Sequence, residues 1–586
     1  MTMQQTVKGI GASPGIAVGK AFVLPSWEWE IPDKKVDVSE LAGEFERLYQ
    51  GIRRSKQEIE GIKREMIGVI GEHNSSIFDA HLAILEDPEF MREVQGIIQR
   101  QYKAAEVAVK EVIDQFASMF DLIEDEYMKE RRSDIRDVGN RLLQHLLGAP
   151  EITLPADNRP FILVARELSP SQLAHLNPER VLGILTLTGG KNSHAAIMAR
   201  SLGIPLVVSL EDNLVSPIQT GDELIIDGYE GNVYLHPLEH VRQTFLARRQ
   251  AGIETRQRLR EKLDVPPVTR DGCRIALHAN INSVKELDGA LENGVEGIGL
   301  FRTEFLFMDR SGFPGEEEQT AVYREVAERL AGRPVVIRTL DIGGDKMLDY
   351  HEFPEEDNPF LGYRAIRFSL DRKDIFKTQL RAILRAGAFG DVKIMFPMIS
   401  SLEELRAALE LLERAKRELK EEGAAFREDM PVGIMIEVPA AVMVAEWLAE
   451  HVDFFSIGTN DLIQYVLAVD RMNDHVAHLY DPFHPAVIKM IDIAVKAARK
   501  KGISVSVCGE MAGDPKALPL LIGLGVHDLS MPAPAVLEVK SRLLGLGAEE
   551  CRELAGRLLM CRTGEEAAEL LEAMQADNEM KRQANR

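Results

Sequence analysis

The stretch that decides the fold of the second half of the chain is GIMIEVPAAVMVAEWLAEHVDFFSIGTNDLIQYVLAVDR, residues 433–471. It contains two short apolar runs, GIMI and FFSI, and each run precedes a longer segment in which apolar residues recur at helical spacing. A short apolar run followed by such a segment is typical of a parallel strand and its crossover helix. The stretch therefore predicts two consecutive strand-helix units.

Units of this kind recur throughout residues 267–586. The eight strand-like runs are RIALHAN, GIGLF, VVIRTL, a weaker run near YRAIR, KIMFPM, GIMIEV, FFSIGT and ISVSVCG. Eight strand-helix units over roughly this length predict a closed (β/α)8 TIM barrel.

The first half of the chain changes its pattern several times. Residues 1–24 are rich in Gly and contain short β-favouring runs, whereas residues 34–148 hold little Gly or Pro and repeat apolar residues at helical spacing. Residues 150–237 return to short strands, and residues 238–266 are polar, as in a solvated linker helix. We therefore predict a multidomain α/β protein: a helical bundle inserted in a small α/β domain, a linker helix and then the TIM barrel.

Composition limits the classes of protein to which the chain can belong. Its 586 residues are enough for about three to four domains. The 93 acidic and 70 basic residues give a formal charge of −23, which argues against binding to nucleic acid or to an anionic membrane surface. The four cysteines have no CxxC spacing, and no apolar run is long enough to span a membrane. We expect a soluble cytoplasmic protein without a disulfide framework, a nucleic-acid partner or membrane insertion.

Four arginines lie at or after the ends of the predicted barrel strands, namely Arg302, Arg338, Arg364 and Arg471. In a TIM barrel the functional residues lie at the C-terminal ends of the strands and in the loops that follow. A single Arg at a strand end is often an ion-pair partner. Four at one mouth suit the oxygens of a small, phosphate-bearing substrate, because guanidinium forks bind phosphate and carboxylate groups bidentately.

The same mouth is predicted to hold acidic groups and a thiol. Glu437 closes GIMI, and Asn460 and Asp461 follow FFSIGT. Two carboxylates and an amide are too few for a Ca²⁺ cage, yet they suit a Mg²⁺ ion shared with substrate oxygens. Cys508 closes the apolar run SVSV, and from the residues alone it is interpreted as an inert buried thiol.

One histidine occupies a distinctive position outside the barrel. In TLTGGKNSHAAIMARSLGIP, residues 186–205, a Gly-Gly turn leads into a helix that Ser193 can cap, with His194 in the first turn. The free N–H groups and positive dipole end of a helix stabilise a phosphoryl group bound to an imidazole there. An ordinary capping or surface histidine is the alternative that position alone leaves open.

Several longer motifs together identify a family. They are GASPGIAVGKA, GGKNSHAAIMARSLGIP, GLFRTEFLFMDR, RTLDIGGDK, NPFLGYRAIR, GIMIEVPAA, FFSIGTNDLIQYVLAVDR and CGEMAGD, in that order. Over essentially its whole length the chain resembles Enzyme I of the bacterial sugar phosphotransferase system, the phosphoenolpyruvate-protein phosphotransferases. The resemblance implies transfer of a phosphoryl group from phosphoenolpyruvate to an enzyme histidine and then to the phosphocarrier protein HPr, with release of pyruvate.

The resemblance also implies a role for each candidate residue. His194 matches the phosphorylated histidine, and Cys508 matches the acid that protonates the enolate carbon as pyruvate forms. Glu437 and Asp461 match the Mg²⁺ ligands. The matched phosphoenolpyruvate ligands are Arg302, Arg338, Asn460, Asp461 and Arg471, with Arg364 nearby.

Domain roles follow from the same resemblance. Residues 1–24 and 150–237 match the phosphohistidine domain, and residues 34–148 match the helical domain on which HPr docks. Residues 238–266 match the linker helix, and residues 267–586 match the barrel that binds phosphoenolpyruvate and through which relatives form homodimers.

The histidine loop departs from the family pattern. Many relatives read T-D-x-G-G-R-T-S-H, where this chain has Leu187, Lys191 and Asn192. Leu187 lacks a carboxylate that could orient the imidazole, and Lys191 replaces a guanidinium fork with a point charge. We therefore expect the departure to affect the transfer rate or the choice of partner.

Two other functions are alternatives to this one. A pyruvate phosphate dikinase or a phosphoenolpyruvate synthase resembles the chain in histidine loop and barrel, but it also needs a nucleotide-binding domain, and the chain has no GxxxxGK[ST] loop. A regulatory protein that senses phosphoenolpyruvate without turnover is the other alternative. The intact set of Arg, Glu, Asp and Cys residues speaks against it.

Overall fold

The computed structural model of the chain describes residues 4–24, 31, 34–75, 77–120, 126–148, 159–169, 172–173, 176–177, 180–190, 193–209, 218–308, 310, 312–344, 346, 348, 350–473 and 475–584. The chain divides into two compact units, Met1–Thr255 and Arg256–Arg586. The finer division into four segments, with its boundaries, stays a prediction.

Within the described residues of the first unit, five helices form the predicted helical bundle. They are α1 Leu41–Ser75, α2 Ile77–Glu86, α3 Pro88–Gln101, α4 Ala105–Phe120 and α5 Glu126–Leu147. Apolar residues spaced three or four positions apart pack into one core, as Leu48 and Ile52 do along α1. The start of α3 is fixed by a local cap, because the Asp87 carboxylate accepts the Glu89 N–H at 2.7 Å.

The first unit also contains an eight-stranded sheet in the order β1-β8-β7-β3-β4-β5-β6-β2. Its strands are β1 Gln5–Lys8, β2 Ile10–Ser13, β3 Ile16–Val23, β4 Phe161–Ala165, β5 Val181–Thr186, β6 Leu206–Val208, β7 Glu223–Asp227 and β8 Asn232–Leu235. Parallel pairing runs from β3 through β4 and β5 to β6. Strands on both sides of the helical bundle share this sheet, so the bundle is an insertion in an α/β fold, as predicted.

Two further helices in the first half matter for function. Helix α6, His194–Leu202, follows β5 and begins at the histidine singled out above. Helix α7, Glu239–Arg260, covers most of the predicted linker. In the described part of the chain, no helix is both long and apolar enough to cross a membrane.

The described part of the second unit forms a closed barrel of eight parallel strands. They are β9 Ala276–Ile281, β10 Ile298–Arg302, β11 Val335–Arg338, β12 Val392–Phe396, β13 Val432–Ile436, β14 Phe454–Ile457, β15 Ser504–Val507 and β16 Asp528–Pro532. The helices are α8 Glu286–Glu292, α9 Glu316–Arg329, α10 Ile366–Asp371, α11 Lys373–Ala386, α12 Leu402–Glu421, α13 Pro439–Met443, α14 Ala445–Leu448, α15 Thr459–Leu467, α16 Pro485–Lys501, α17 Leu518–Leu524, α18 Val536–Leu543, α19 Ala548–Leu558 and α20 Gly564–Ala584. The predicted TIM barrel is confirmed.

The prediction of one of the eight strands is nevertheless wrong. The run near YRAIR is a turn followed by a helix: the backbone turns at Ala365, where φ is 53°, and α10 begins at the next residue. The strand that the sequence analysis missed is β16, which pairs with β15 and β9 and closes the barrel. Its sequence, DLSMP, alternates polar Asp528 and Ser530 with apolar residues, so it lacks the continuous apolar run of its neighbours.

Gly299 in β10 lies against side chains of two other barrel strands, β9 and β16. A Cβ atom at this position would lie 2.5 Å from the Cβ atom of Ser530 and 3.1 Å from that of His278. Gly299→Ala should destabilise the barrel by about 1–3 kcal/mol, because a packed interior admits an added methyl group only by shifting. Calorimetry of the full chain measures the change. Gly289→Ala in α8, where nothing lies within 4 Å of the new Cβ, is the control, and equal transition temperatures for both variants would contradict the prediction.

Candidate active site

The barrel brings most of the candidate residues to one end. Because all eight strands are parallel, their C-terminal ends meet at a single mouth. Arg302 and Arg338 are the last residues of β10 and β11. The others follow strand ends directly or lie in the first turn of α15: Glu437 after β13, Asn460 and Asp461 after β14, and Cys508 after β15.

Arg338 lies in a buried network of charges. Its guanidinium contacts the Glu304 carboxylate, and its Nη1 lies 3.0 Å from Asp341 Oδ2. Lys346 Nζ is 2.6 Å from Glu304 Oε1 and 3.6 Å from Asp341 Oδ2. Burial alone would raise the pKa of the Asp341 carboxyl, but the charges of Arg338, Lys346 and Arg364 hold that pKa below its ordinary value. The carboxylates therefore stay ionised and hold the cations in place.

Arg364 connects this network to α15. Its Nη2 lies 3.1 Å from Asp341 Oδ1 and 3.7 Å from Asp461 Oδ2. Its Nη1 donates a hydrogen bond of 3.2 Å to the Tyr465 hydroxyl. Arg471 Nη2 approaches the other oxygen of Asp461 at 3.8 Å. Arg364 therefore shares Asp341 with Arg338 and Asp461 with Arg471.

The arginines are not fully satisfied by the protein. The Nε groups of Arg338 and Arg364 are buried, and neither has a hydrogen-bond partner among the described residues. A buried N–H group without an acceptor is costly, so a site that keeps two of them is suited to a ligand that supplies oxygens. This is the clearest sign of anion binding at the mouth.

Two buried carboxylates fit the predicted Mg²⁺ site. Glu437 accepts the Met398 N–H at 2.6 Å, and burial, together with the negative charges of Asp461 and Asp341, raises the pKa of Glu437 to about 8. Asp461 Oδ1 is buried and accepts no hydrogen bond from the described residues. A bound cation would offset the negative charges that raise the pKa of Glu437, and it would give Asp461 Oδ1 a partner. The described residues include no cluster of three or more His, Cys, Asp or Glu side chains that could hold a metal.

Cys508 is buried at the end of β15. Its N–H donates to the carbonyl oxygen of Ile457 at 3.1 Å, and its own carbonyl accepts the Asn280 amide at 3.0 Å. Burial is the main reason that the pKa of Cys508 rises to about 11, and the charge of Glu437 adds to the effect. The thiol therefore keeps its proton at neutral pH, as an acid must before it donates.

Asn460 and Arg302 occupy opposite parts of the ring of strand ends. The Asn460 amide donates to Glu510 Oε1 at 3.1 Å, and its Oδ1 accepts the Glu510 N–H at 2.8 Å. This reciprocal pair fixes the orientation of the amide. Arg302 Nη1 donates to Asn282 Oδ1 at 3.3 Å, a weak contact that leaves the guanidinium available for a ligand.

His194 belongs to the first unit, whereas the barrel residues belong to the second. The predicted cap is present, because Ser193 Oγ accepts the Ala196 N–H at 3.3 Å. The side chain of His194 and the residues Lys191 and Asn192 lie outside the described part of the structure. Leu187 is partly buried and packs against an apolar core cluster of the sheet.

The sequence analysis missed several residues of the mouth. Glu304, Asp341 and Lys346 lie in turns after β10 and β11, and Tyr465 lies in a helix where it reads as an ordinary apolar position. The charged residues that directly follow the strands in FRTEF and TLDIGGDK were the available signal.

Known protein families and relatives match nearly the whole chain. Residues 256–547 match the family described as PEP-utilising enzyme, PEP-binding domain, residues 8–131 match the N-terminal domain of PEP-utilising enzymes, and residues 158–231 match their mobile domain. The phosphoenolpyruvate-protein phosphotransferase of Staphylococcus aureus is 43% identical over 97% of this chain and 99% of its own length. That of Geobacillus stearothermophilus is 44% identical over 96% and 97%. An NMR structure of Enzyme I, 39% identical, covers 42% of this chain and 98% of its own, with a TM-score of 0.35.

The buried network predicts a large stability effect at Glu304. Glu304→Ala removes the carboxylate shared by Arg338 and Lys346, and breaking a buried ion pair from one side typically costs about 3–5 kcal/mol. Glu318→Ala is the matched control, because its 2.6 Å pair with Arg310 is half-exposed and should contribute less than about 1 kcal/mol. Denaturant unfolding of the barrel transition measures both variants. Similar losses in the two would show that the network does not hold the mouth together.

Proposed function

The chain belongs to the phosphoenolpyruvate-protein phosphotransferases, and on that premise we propose that it transfers the phosphoryl group of phosphoenolpyruvate to its own His194, releasing pyruvate. The group then passes to the histidine of the phosphocarrier protein HPr. In this proposal the reaction is the first general step of sugar phosphotransferase transport and takes place in the cytoplasm.

The observation that carries the proposal is the set of buried arginines with unused N–H groups at the barrel mouth. Phosphoenolpyruvate carries a phosphate and a carboxylate, and guanidinium forks suit both groups. We assign the substrate to Arg302, Arg338, Arg364, Asn460, Asp461 and Arg471. Phosphoryl transfer relies mostly on positioning and charge neutralisation, which such a ring of donors supplies.

We propose Glu437 and Asp461 as the residues that hold Mg²⁺. The raised pKa of Glu437, and the buried Asp461 Oδ1 that accepts no hydrogen bond from the described residues, support this assignment. When bound, the ion would neutralise negative charge on the oxygens of the substrate.

The covalent step balances with the residues present. The bond between phosphorus and the enol oxygen of phosphoenolpyruvate breaks, and a bond between phosphorus and an imidazole nitrogen of His194 forms. The enolate of pyruvate is left behind, and its terminal carbon takes the proton of the Cys508 thiol. The thiolate regains a proton from water before the next cycle. The protonated state of Cys508 at neutral pH supports this role.

The proposal also assigns the remaining parts of the chain. His194 and the barrel mouth lie in different compact units, so the histidine must approach the mouth to be loaded and then leave to meet HPr. Helix α7, Glu239–Arg260, spans the boundary between the units and is the proposed hinge region. Helices α1 to α5 are the proposed docking site for HPr, and the barrel is the proposed homodimer contact.

Phosphoryl labelling tests the proposal. With Mg²⁺ and labelled phosphoenolpyruvate, and without nucleotide, the protein should gain acid-labile label and release an equal amount of pyruvate. His194→Ala should take up none, whereas His240→Ala, which changes an exposed histidine of the same unit, should label as the wild type does. Added HPr should remove the label. A wild-type protein that takes up no label would overturn the proposal, and a labelled His194→Ala would overturn the site assignment alone.

The acid is tested separately. Cys508→Ala should slow pyruvate formation by about 10²–10⁴-fold, the usual contribution of a positioned acid. Exchange of the phosphoryl group between phosphorylated HPr and His194 should keep its rate, because that exchange needs no proton for an enolate. Cys273→Ala, which removes a thiol that precedes β9 at the other end of the barrel, is the control. Unchanged pyruvate formation in Cys508→Ala would assign the proton to another group.

A further inference from the structure

We propose that Tyr465 is a positioning residue for phosphoenolpyruvate, because its hydroxyl group holds both the Arg364 guanidinium and the turn Pro359–Leu361 in their binding arrangement. The inference rests on the proposed function, since it assigns Arg364 to the substrate site. It adds a residue that lies within the motif FFSIGTNDLIQYVLAVDR but to which neither the resemblance nor its charge assigns a role.

The hydroxyl group of Tyr465 makes two hydrogen bonds in different directions. It accepts a hydrogen bond from Arg364 Nη1 at 3.2 Å and donates its own proton to the carbonyl oxygen of Phe360 at 2.6 Å. A phenol has one proton to donate and lone pairs to accept with, so both contacts form at once. The ring of Phe360 also lies near the guanidinium, with its centroid 5.9 Å from the Arg364 Cζ atom.

Arg364 depends on this hydroxyl group because its other partners occupy a different nitrogen. Asp341 and Asp461 both approach Nη2, at 3.1 and 3.7 Å, whereas the hydroxyl group is the hydrogen-bond acceptor found for Nη1 in the described part of the chain. The buried Nε group then remains for a ligand. Without the hydroxyl group, Nη1 would be buried and unsatisfied, and the guanidinium would turn toward the two carboxylates.

The phenol suits this position because it carries no charge. Arg364 already lies close to two carboxylates, so a third would cancel the positive charge that an anionic substrate requires. A hydroxyl group fixes the guanidinium without adding negative charge. Tyr465 lies four residues after Asp461 in α15, which places both side chains on one face of the helix toward Arg364.

The same hydroxyl group ties a loop to the barrel. Phe360 lies in the short turn Pro359–Leu361, and the next side chain, Leu361, is 63% exposed. Arg367 of α10 also donates to the Leu361 carbonyl oxygen at 2.7 Å, whereas the bond from Tyr465 ties the turn to α15. Arg364 follows this turn by three residues. Tyr465 therefore holds the guanidinium end of the Arg364 side chain directly, and it holds the backbone end through the nearby turn.

Tyr465→Phe tests the inference, because it removes only the hydroxyl group and keeps the packed ring. The KM for phosphoenolpyruvate should rise by about 10- to 100-fold, the range expected for a lost hydrogen bond to a charged group. The kcat should change by less than about threefold, because the groups that carry out the chemistry remain. KM does not depend on the amount of folded protein, so a partly unfolded sample cannot imitate this result. Phosphoryl exchange between phosphorylated HPr and His194 should be unchanged.

Tyr363→Phe is the matched control. Tyr363 lies in the same loop, and its hydroxyl group lies 2.5 Å from Asp371 Oδ2, away from the substrate arginines. Its loss should leave KM within about twofold of the wild-type value. Equal KM values for Tyr465→Phe and Tyr363→Phe would overturn the inference, as would a fall in kcat with an unchanged KM.

A double-mutant cycle tests whether the hydroxyl group acts through Arg364. In an Arg364→Lys background, Tyr465→Phe should raise KM by less than about twofold, because the guanidinium that it positions is already gone. A full additional effect would overturn the inference. Wild-type pyruvate formation is measured first: its absence refutes the proposed function itself, whereas an active wild type with an unaffected Tyr465→Phe refutes the inference alone.

Discussion

Asp341 lies within 3.6 Å of cationic nitrogens from Arg338, Lys346 and Arg364, and Glu304 contacts two of the same three side chains. Cations gathered for an anionic substrate would otherwise repel one another in a buried site. The two carboxylates hold them together before any substrate arrives, yet they leave the Nε groups of Arg338 and Arg364 without a partner among the described residues. The carboxylates thus neutralise only part of the positive charge at the mouth. Complete neutralisation would leave no positive charge to attract a phosphate.

Glu437 and Cys508 are both buried at the mouth, but the causes of their raised pKa values differ. Burial raises the pKa of both groups, to about 8 for Glu437 and about 11 for Cys508. The proton of Glu437 is held partly by neighbouring negative charges, so a bound cation would release it. The thiol proton is held mainly by burial, so a cation affects it less and it stays available for transfer. One low-dielectric mouth thus perturbs the proposed metal ligand and the proposed acid in different ways.

The barrel and the strand-end residues were predictable because both depend on local patterns. Apolar runs before helical segments marked seven strands, and parallel pairing requires that residues at the ends of those strands meet. β16 was not predictable, since Ser530 points a polar side chain into a packed interior where it contacts Asn280, a partner far away in the sequence. Glu304, Asp341 and Lys346 were missed for a similar reason: each is an ordinary charged turn residue until the barrel closes. The helix start at His194 followed from Ser193, whereas the surroundings of its imidazole do not follow from any local pattern.

The strand that closes the barrel also sets the order in which the chain can fold. β16 pairs with β9 in the register Asp528↔Ala276, a separation of about 250 residues in sequence. At a synthesis rate of roughly 5–20 residues per second, β9 leaves the ribosome on the order of 10–50 seconds before its partner exists. During that time one side of β9 presents unpaired backbone groups, which can pair with the wrong strand. Contacts so distant in sequence also form slowly once both strands are present. The geometry that unites the strand ends at one mouth therefore means that the barrel can close only after β16, its last strand, has been synthesised.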